Sequence, residues 1–224
     1  PPPAERANHM IRRTVSFFVG LALWPGCLAA THTLVELLHS AQPGSWGAMS
    51  RSGWGLLIGF LLWIALYLGA PRPVRTYVLG HELTHALWGL LLGAEVGRLR
   101  VSARGGSVEL SRHHFLITLA PYFFPFYTVL VLLARGVAGV FFDMQLYDPF
   151  WTGCVGLTWG FHLTFTLSLL ARRQPDIEVY GRVFSYSVIT LMNVAGVALW
   201  LVIAGSPTLA MLGEGLARNL ARYY

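Results

Sequence analysis

Six stretches of the chain stay apolar for about the 20 residues that a helix needs to cross a bilayer. They lie near residues 14–38, 53–70, 76–93, 114–134, 150–171 and 183–204. Turn-forming breaks separate them: "SAQPGSWGAMSRSG" (40–53), "PRPVR" (71–75), the segment 94–113, "RGVAGVFFDMQLYDP" (135–149) and "RRQPDIEVYGR" (172–182). Connections this short join helices that pack as antiparallel neighbours. The pattern predicts an all-α polytopic membrane protein of about six transmembrane helices, forming one membrane-embedded domain over residues 1–224. The third stretch is short for a span and carries polar residues in its middle.

Two segments follow a different rhythm. Between 94 and 113, Leu99, Val101 and Ala103 alternate with Arg98, Arg100, Ser102 and Arg104. Beyond Gly105-Gly106, Val108 and Leu110 alternate with Ser107, Glu109 and Ser111. Period-two alternation on both sides of a glycine pair predicts a small β-hairpin, turning at the glycines. After Pro207, "TLAMLGEGLARNLARYY" spaces its leucines helically and ends in arginines and tyrosines. A short interfacial helix over 207–224 is expected there.

Composition agrees with the span count. Of the 224 residues, 55% are hydrophobic and only 12% are charged, and the mean hydropathy is +0.56. A soluble domain carries about 25% charged residues. The net charge of +6 comes entirely from arginine, since the chain has no lysine. Those arginines stand singly or in pairs between apolar spans, which suits topology and headgroup contact better than nucleic acid. Cys27 and Cys154 lie inside spans without metal-ligand or redox spacing and read as packed thiols. The basic N-terminus runs into an apolar stretch without a persuasive cleavage site, so a retained span is expected.

The polar residues of the third stretch carry the chemistry. In "VLGHELTHALW" (78–88), His81 and His85 are four residues apart, on one face of a helix. Two imidazoles so placed can each point a ring nitrogen at one tetrahedral Zn²⁺, while the adjacent Glu82 takes a proton from the metal-bound water. A purely structural polar cluster is the competing reading. It is weakened by the cost of a few kcal/mol for an ionisable group at mid-bilayer.

A zinc site of this kind needs a third protein ligand. The chain has three aspartates. Asp143 and Asp148 precede the fifth span and read as solvated loop positions. Asp176 follows that span, on the same side as the hairpin if helices alternate, and is the favoured ligand. His162, in mid-span among Thr158, Thr164 and Thr166, is its competitor as ligand or substrate contact. Asn193 can orient a substrate or close a helix–helix hydrogen bond. His32, Glu36 and His39 share a face of the first span and read as interfacial polar residues rather than a second metal site.

An H-E-x-x-H helix ("GHELTHALWGLLLGAEV"), followed at once by a glycine-containing hairpin ("RVSARGGSVEL") and another span, resembles the site-2 protease family of intramembrane zinc metalloproteases. The resemblance covers roughly residues 76–182. It implies zinc held by His81, His85 and a distal aspartate, here Asp176, with Glu82 as catalytic base. It also implies a hairpin that presents the substrate in extended form, bringing Gly105, Gly106, Ser107 and Val108 into substrate binding beside His162 and Asn193. The family's third-ligand stretch ends in Leu-Asp-Gly; "QPDIEVYG" keeps Pro175 and Asp176, with no glycine directly after the aspartate.

The expected protein is thus a minimal membrane core without a PDZ domain, multi-pass in a bacterial inner (plasma) membrane. Its expected partners are the bilayer and a transmembrane protein substrate, without nucleic acid. A zinc-dependent hydrolase of lipidated substrates and a non-catalytic metal-binding scaffold are the alternatives. Orientation stays open: placing the arginine-rich hairpin and the Arg172–Arg182 loop inside suits the positive-inside rule, but alternation then puts Arg6, Arg12 and Arg13 outside.

Overall fold

The computed structural model describes residues 3–40, 50–204 and 207–224, and most of the expected break at 40–53 lies outside them. The described residues are predominantly helical, with one two-stranded antiparallel hairpin. Among the described residues, four helices are long and apolar enough to cross a membrane, or five if one bent pair counts as a span. Large apolar side chains such as Phe18, Ile58, Leu133 and Val140 stay exposed along them. An apolar surface of that extent suits lipid contact rather than water. This is a membrane protein.

The chain divides into two compact units. One contains α1 (Pro3–Ser40), α7 (Pro175–Tyr180), α8 (Arg182–Ala204) and α9 (Leu209–Tyr223). Gly20 lets the backbones of α1 and α8 meet: a Cβ there would stand 2.6 Å from the Phe184 backbone. Ser187 Oγ then donates to the Gly20 carbonyl at 2.9 Å, and Cys27 Sγ donates to the Ser187 carbonyl. The expected C-terminal helix is present as α9, and His32 and Glu36 receive it. Arg218 Nη2 and Asn219 Nδ2 donate to the two Glu36 oxygens, while Arg222 and Tyr223 reach His32. The polar stripe of the first span is therefore a docking face for α9.

The second unit contains α2 (Arg51–Gly69), α3 (Val74–Leu91), strands β1 (Val96–Ser102) and β2 (Gly105–Leu110), α4 (Phe115–Leu119), α5 (Phe126–Phe141) and α6 (Asp148–Leu170). Helices α2 and α6 press backbone to backbone. Gly59 lies on Gly153, and Gly156 lies on the Leu56 carbonyl, so closely that any Cβ would collide. Small residues one turn apart are how helices approach where no hydrophobic effect drives them together. Further along, Trp63 Nε1 donates to Thr164 Oγ1 at 2.9 Å and the Tyr67 hydroxyl meets Ser168 Oγ at 2.6 Å. Trp63, Tyr77, Phe161 and Phe165 form the aromatic core, with Tyr77 stacked on Phe165 at 4.6 Å. That stack ties α3 to α6.

Three expectations are corrected. The span at 114–134 is not one helix: α4 passes through a 3₁₀ turn (Ala120–Tyr122) and bends by 82° into α5. Pro121 and Pro125 cause the break, because neither has an N–H to continue the ladder. The break at 135–149 is shorter, because α5 runs to Phe141. Asp148, the first residue of α6, is not a free loop carboxylate but accepts from Arg135 Nη2 at 2.6 Å. The hairpin turns at Ala103-Arg104, one step before the glycine pair, with Ser102 paired to Gly105. Ser102 Oγ holds this turn, donating to the Gly105 carbonyl and accepting from Arg104 N.

Candidate metal centre

The site is built on α3. His81 and His85 lie one turn apart, with ring centroids 4.9 Å apart at 82° and ligand nitrogens within 4.8 Å of each other. Glu82 and His85 are buried, at 7% and 8% exposure, and His81 is half-buried. Polar groups withdrawn from solvent in this way need partners to offset the lost hydration.

Part of that compensation is a consequence of Pro121. In a continuous helix the Ile117 carbonyl would accept from the N–H of residue 121, which is proline. The orphaned carbonyl instead takes the Nδ1–H of His85 at 2.8 Å. A carbonyl oxygen only accepts, so Nδ1 carries a proton here, and Nε2 is the ring atom through which His85 would meet a metal. A partner of this kind also fixes the ring's orientation toward a metal. His81 is held by aromatic neighbours: Tyr122, fully buried, meets it edge-on at 5.5 Å, and the Tyr77 hydroxyl lies 3.5 Å from Nδ1. The donor set, two imidazoles one helical turn apart with one ring held by a carbonyl, fits a divalent metal.

The hairpin closes over the carboxylate. A Cβ on Gly106 would stand 2.7 Å from Glu82 Cγ, 2.7 Å from Val78 Cγ1 and 2.8 Å from Glu82 Oε1. Only glycine lets β2 lie this close to α3, so the glycine pair serves contact with the helix rather than the turn. Gly105 sits beside it at φ 142°, a backbone conformation reserved for glycine. Ser107 is exposed and Val108 half-buried on the same strand. Leu110 at the strand's far end seats on Gly89 of α3.

Beside His81 lies a small cavity of about 20 Å³, lined among others by Tyr77, Gly80, Thr84, Tyr127 and His162. That is room for one water molecule. Gly80 opens it, since a Cβ there would meet the Tyr127 ring at 2.7 Å. His162 is 8% exposed, and its Nε2 has no hydrogen-bond partner among the described residues.

Of the residues singled out by sequence, His81, Glu82, His85, His162 and Gly105 to Val108 all fall within this unit. Asp176 lies in the first turn of α7, and Asn193 on α8 donates to the Ile189 carbonyl one turn back at 2.9 Å. Asp143 accepts from the Gln145 backbone in the turn before α6. Tyr122 and the Ile117 carbonyl were not singled out, although Pro121, which frees that carbonyl, stands in plain view in "LAPYFFPF". Tyr77 was legible as well, four residues before His81. Compared with models of known protein families, with curated proteins and with solved structures, the chain matches none.

Proposed function

We propose that this chain is an intramembrane zinc metalloprotease that cleaves peptide bonds of transmembrane or membrane-proximal proteins. The observation that carries this reading is the buried H-E-x-x-H turn with a β-strand laid directly on its glutamate. In this reading His81 and His85 hold zinc through one ring nitrogen each, and Asp176 supplies the third ligand. When bound, zinc acts as a Lewis acid that activates water and polarises a carbonyl.

The chain's own residues do the rest. Glu82 takes the proton of the attacking water and returns it to the leaving nitrogen. Burial beneath the hairpin shields that carboxylate from bulk water, where its proton would be lost to solvent. The Ile117 carbonyl holds His85 in register. A helical substrate must unwind before its peptide bond is reachable, and the strand at Gly105–Val108 supplies hydrogen bonds that lipid does not offer. The full reading counts six crossings, α3 among them and the bent α4–α5 pair as one, in a bacterial plasma membrane.

The test is the Glu82→Gln variant in membranes. It should retain zinc, while substrate fragments seen with the wild type disappear from the membrane proteome. Unchanged fragments would contradict the mechanism and favour the metal-binding scaffold.

A further inference from the structure

One buried polar atom beside His81 has no part in the chemistry above. His162 sits in the middle of α6, and its Nε2 is buried without a partner among the described residues. Such an atom costs about 1–3 kcal/mol unless something satisfies it. Its ring lines the same water-sized cavity as His81, Tyr77 and Thr84. Thr84 is already committed, its hydroxyl donating to the Gly80 carbonyl at 2.7 Å. Metal ligation does not explain His162: it joins no group of three His, Cys, Asp or Glu residues with ligand atoms all within 4.8 Å, among the described residues. What the cavity offers is one oxygen-sized space next to a metal-ligand histidine and one unspent ring nitrogen.

We infer that His162 is a catalytic residue whose Nε2–H donates a hydrogen bond to the carbonyl oxygen of the scissile peptide bond. The role rests on the protease reading. As water oxygen bonds to the carbonyl carbon, its proton passes to Glu82 and the C=O π pair moves onto the carbonyl oxygen. His162 stabilises the negative charge growing there. Collapse then breaks the C–N bond, and the Glu82 proton leaves with the nitrogen. A donor already fixed in a water-poor pocket strengthens in the transition state without reorganising, which is where such donors act most.

The experiment uses the purified full chain in detergent, loaded with zinc. The probe is a Leu–Ala phosphinate peptide, whose tetrahedral anionic group copies the charge on that oxygen, compared with the matching uncharged peptide amide. His162→Leu should keep its zinc and its thermal transition and bind the amide as the wild type does. Its phosphinate affinity should fall on the order of 100-fold, as for loss of one oxyanion donor. His162→Gln, which keeps a donor near Nε2, should recover much of that loss; His162→Phe decides the question if the leucine variant does not fold. Equal phosphinate binding by wild type and the zinc-loaded leucine variant overturns the role while leaving the protease reading intact. Loss of zinc in the variants overturns it in favour of ligation. Failure of the zinc-loaded wild type to bind the phosphinate at all overturns the protease reading, and this role with it.

Discussion

Pro121 orients a histidine from another helix without bonding to it. By lacking an N–H it leaves the Ile117 carbonyl unclaimed by its own helix, and His85 Nδ1 takes the vacancy at 2.8 Å. Pro121→Ala restores a backbone donor that competes for that carbonyl. The expected result is a 10–100-fold loss of zinc affinity in a chelator competition, the usual effect of removing a ligand's orienting partner. Unchanged affinity would show that His85 is oriented by something else. At this scale the histidine pair was legible, because spacing alone puts His81 and His85 on one helical face. The orienting carbonyl was not, since a hydrogen bond over 32 residues leaves no local pattern. Asn193, half-buried, donates to the Ile189 carbonyl of its own helix, a bond within one turn that no sequence pattern announces.

At the scale of elements, the hairpin joins sequence to mechanism. Alternation located it correctly, and the glycine pair misled about its turn. Turn glycines and close-approach glycines look alike in sequence, and here Ser102 makes the turn while Gly106 gives way to Glu82 and Val78. Gly106→Val must therefore push β2 away from α3. Cleavage is expected to fall on the order of 100-fold for a displacement of about 1 Å at the substrate edge, with zinc content preserved. A rate within twofold of wild type would mean that the strand takes no part in presenting substrate. The same element-scale ambiguity explains the fourth span. Hydropathy is blind to direction, so 114–134 reads as one crossing although its prolines bend it by 82°.

For the molecule as a whole, membrane embedding was the most legible property, because charge depletion and long apolar runs need no tertiary information. The number of crossings was less so. Helix α3 gives up apolar character for the polar turn of the proposed site, and among the described residues it does not pass as a span on length and composition. What joins the helices of the second unit was only partly visible. Gly55 and Gly59 stand four apart in the sequence, yet their meeting with Pro149 and Gly153 on α6 is a fact of packing. The proposed protease requires that His81, His85 and Asp176 hold zinc while Glu82 does not. The direct measurement is zinc per chain in the purified protein by elemental analysis. One zinc is predicted for wild type and Glu82→Gln, and well under one for His85→Ala and Asp176→Ala. Full occupancy in Asp176→Ala would remove the third ligand, and full occupancy in His85→Ala would contradict the account at its centre.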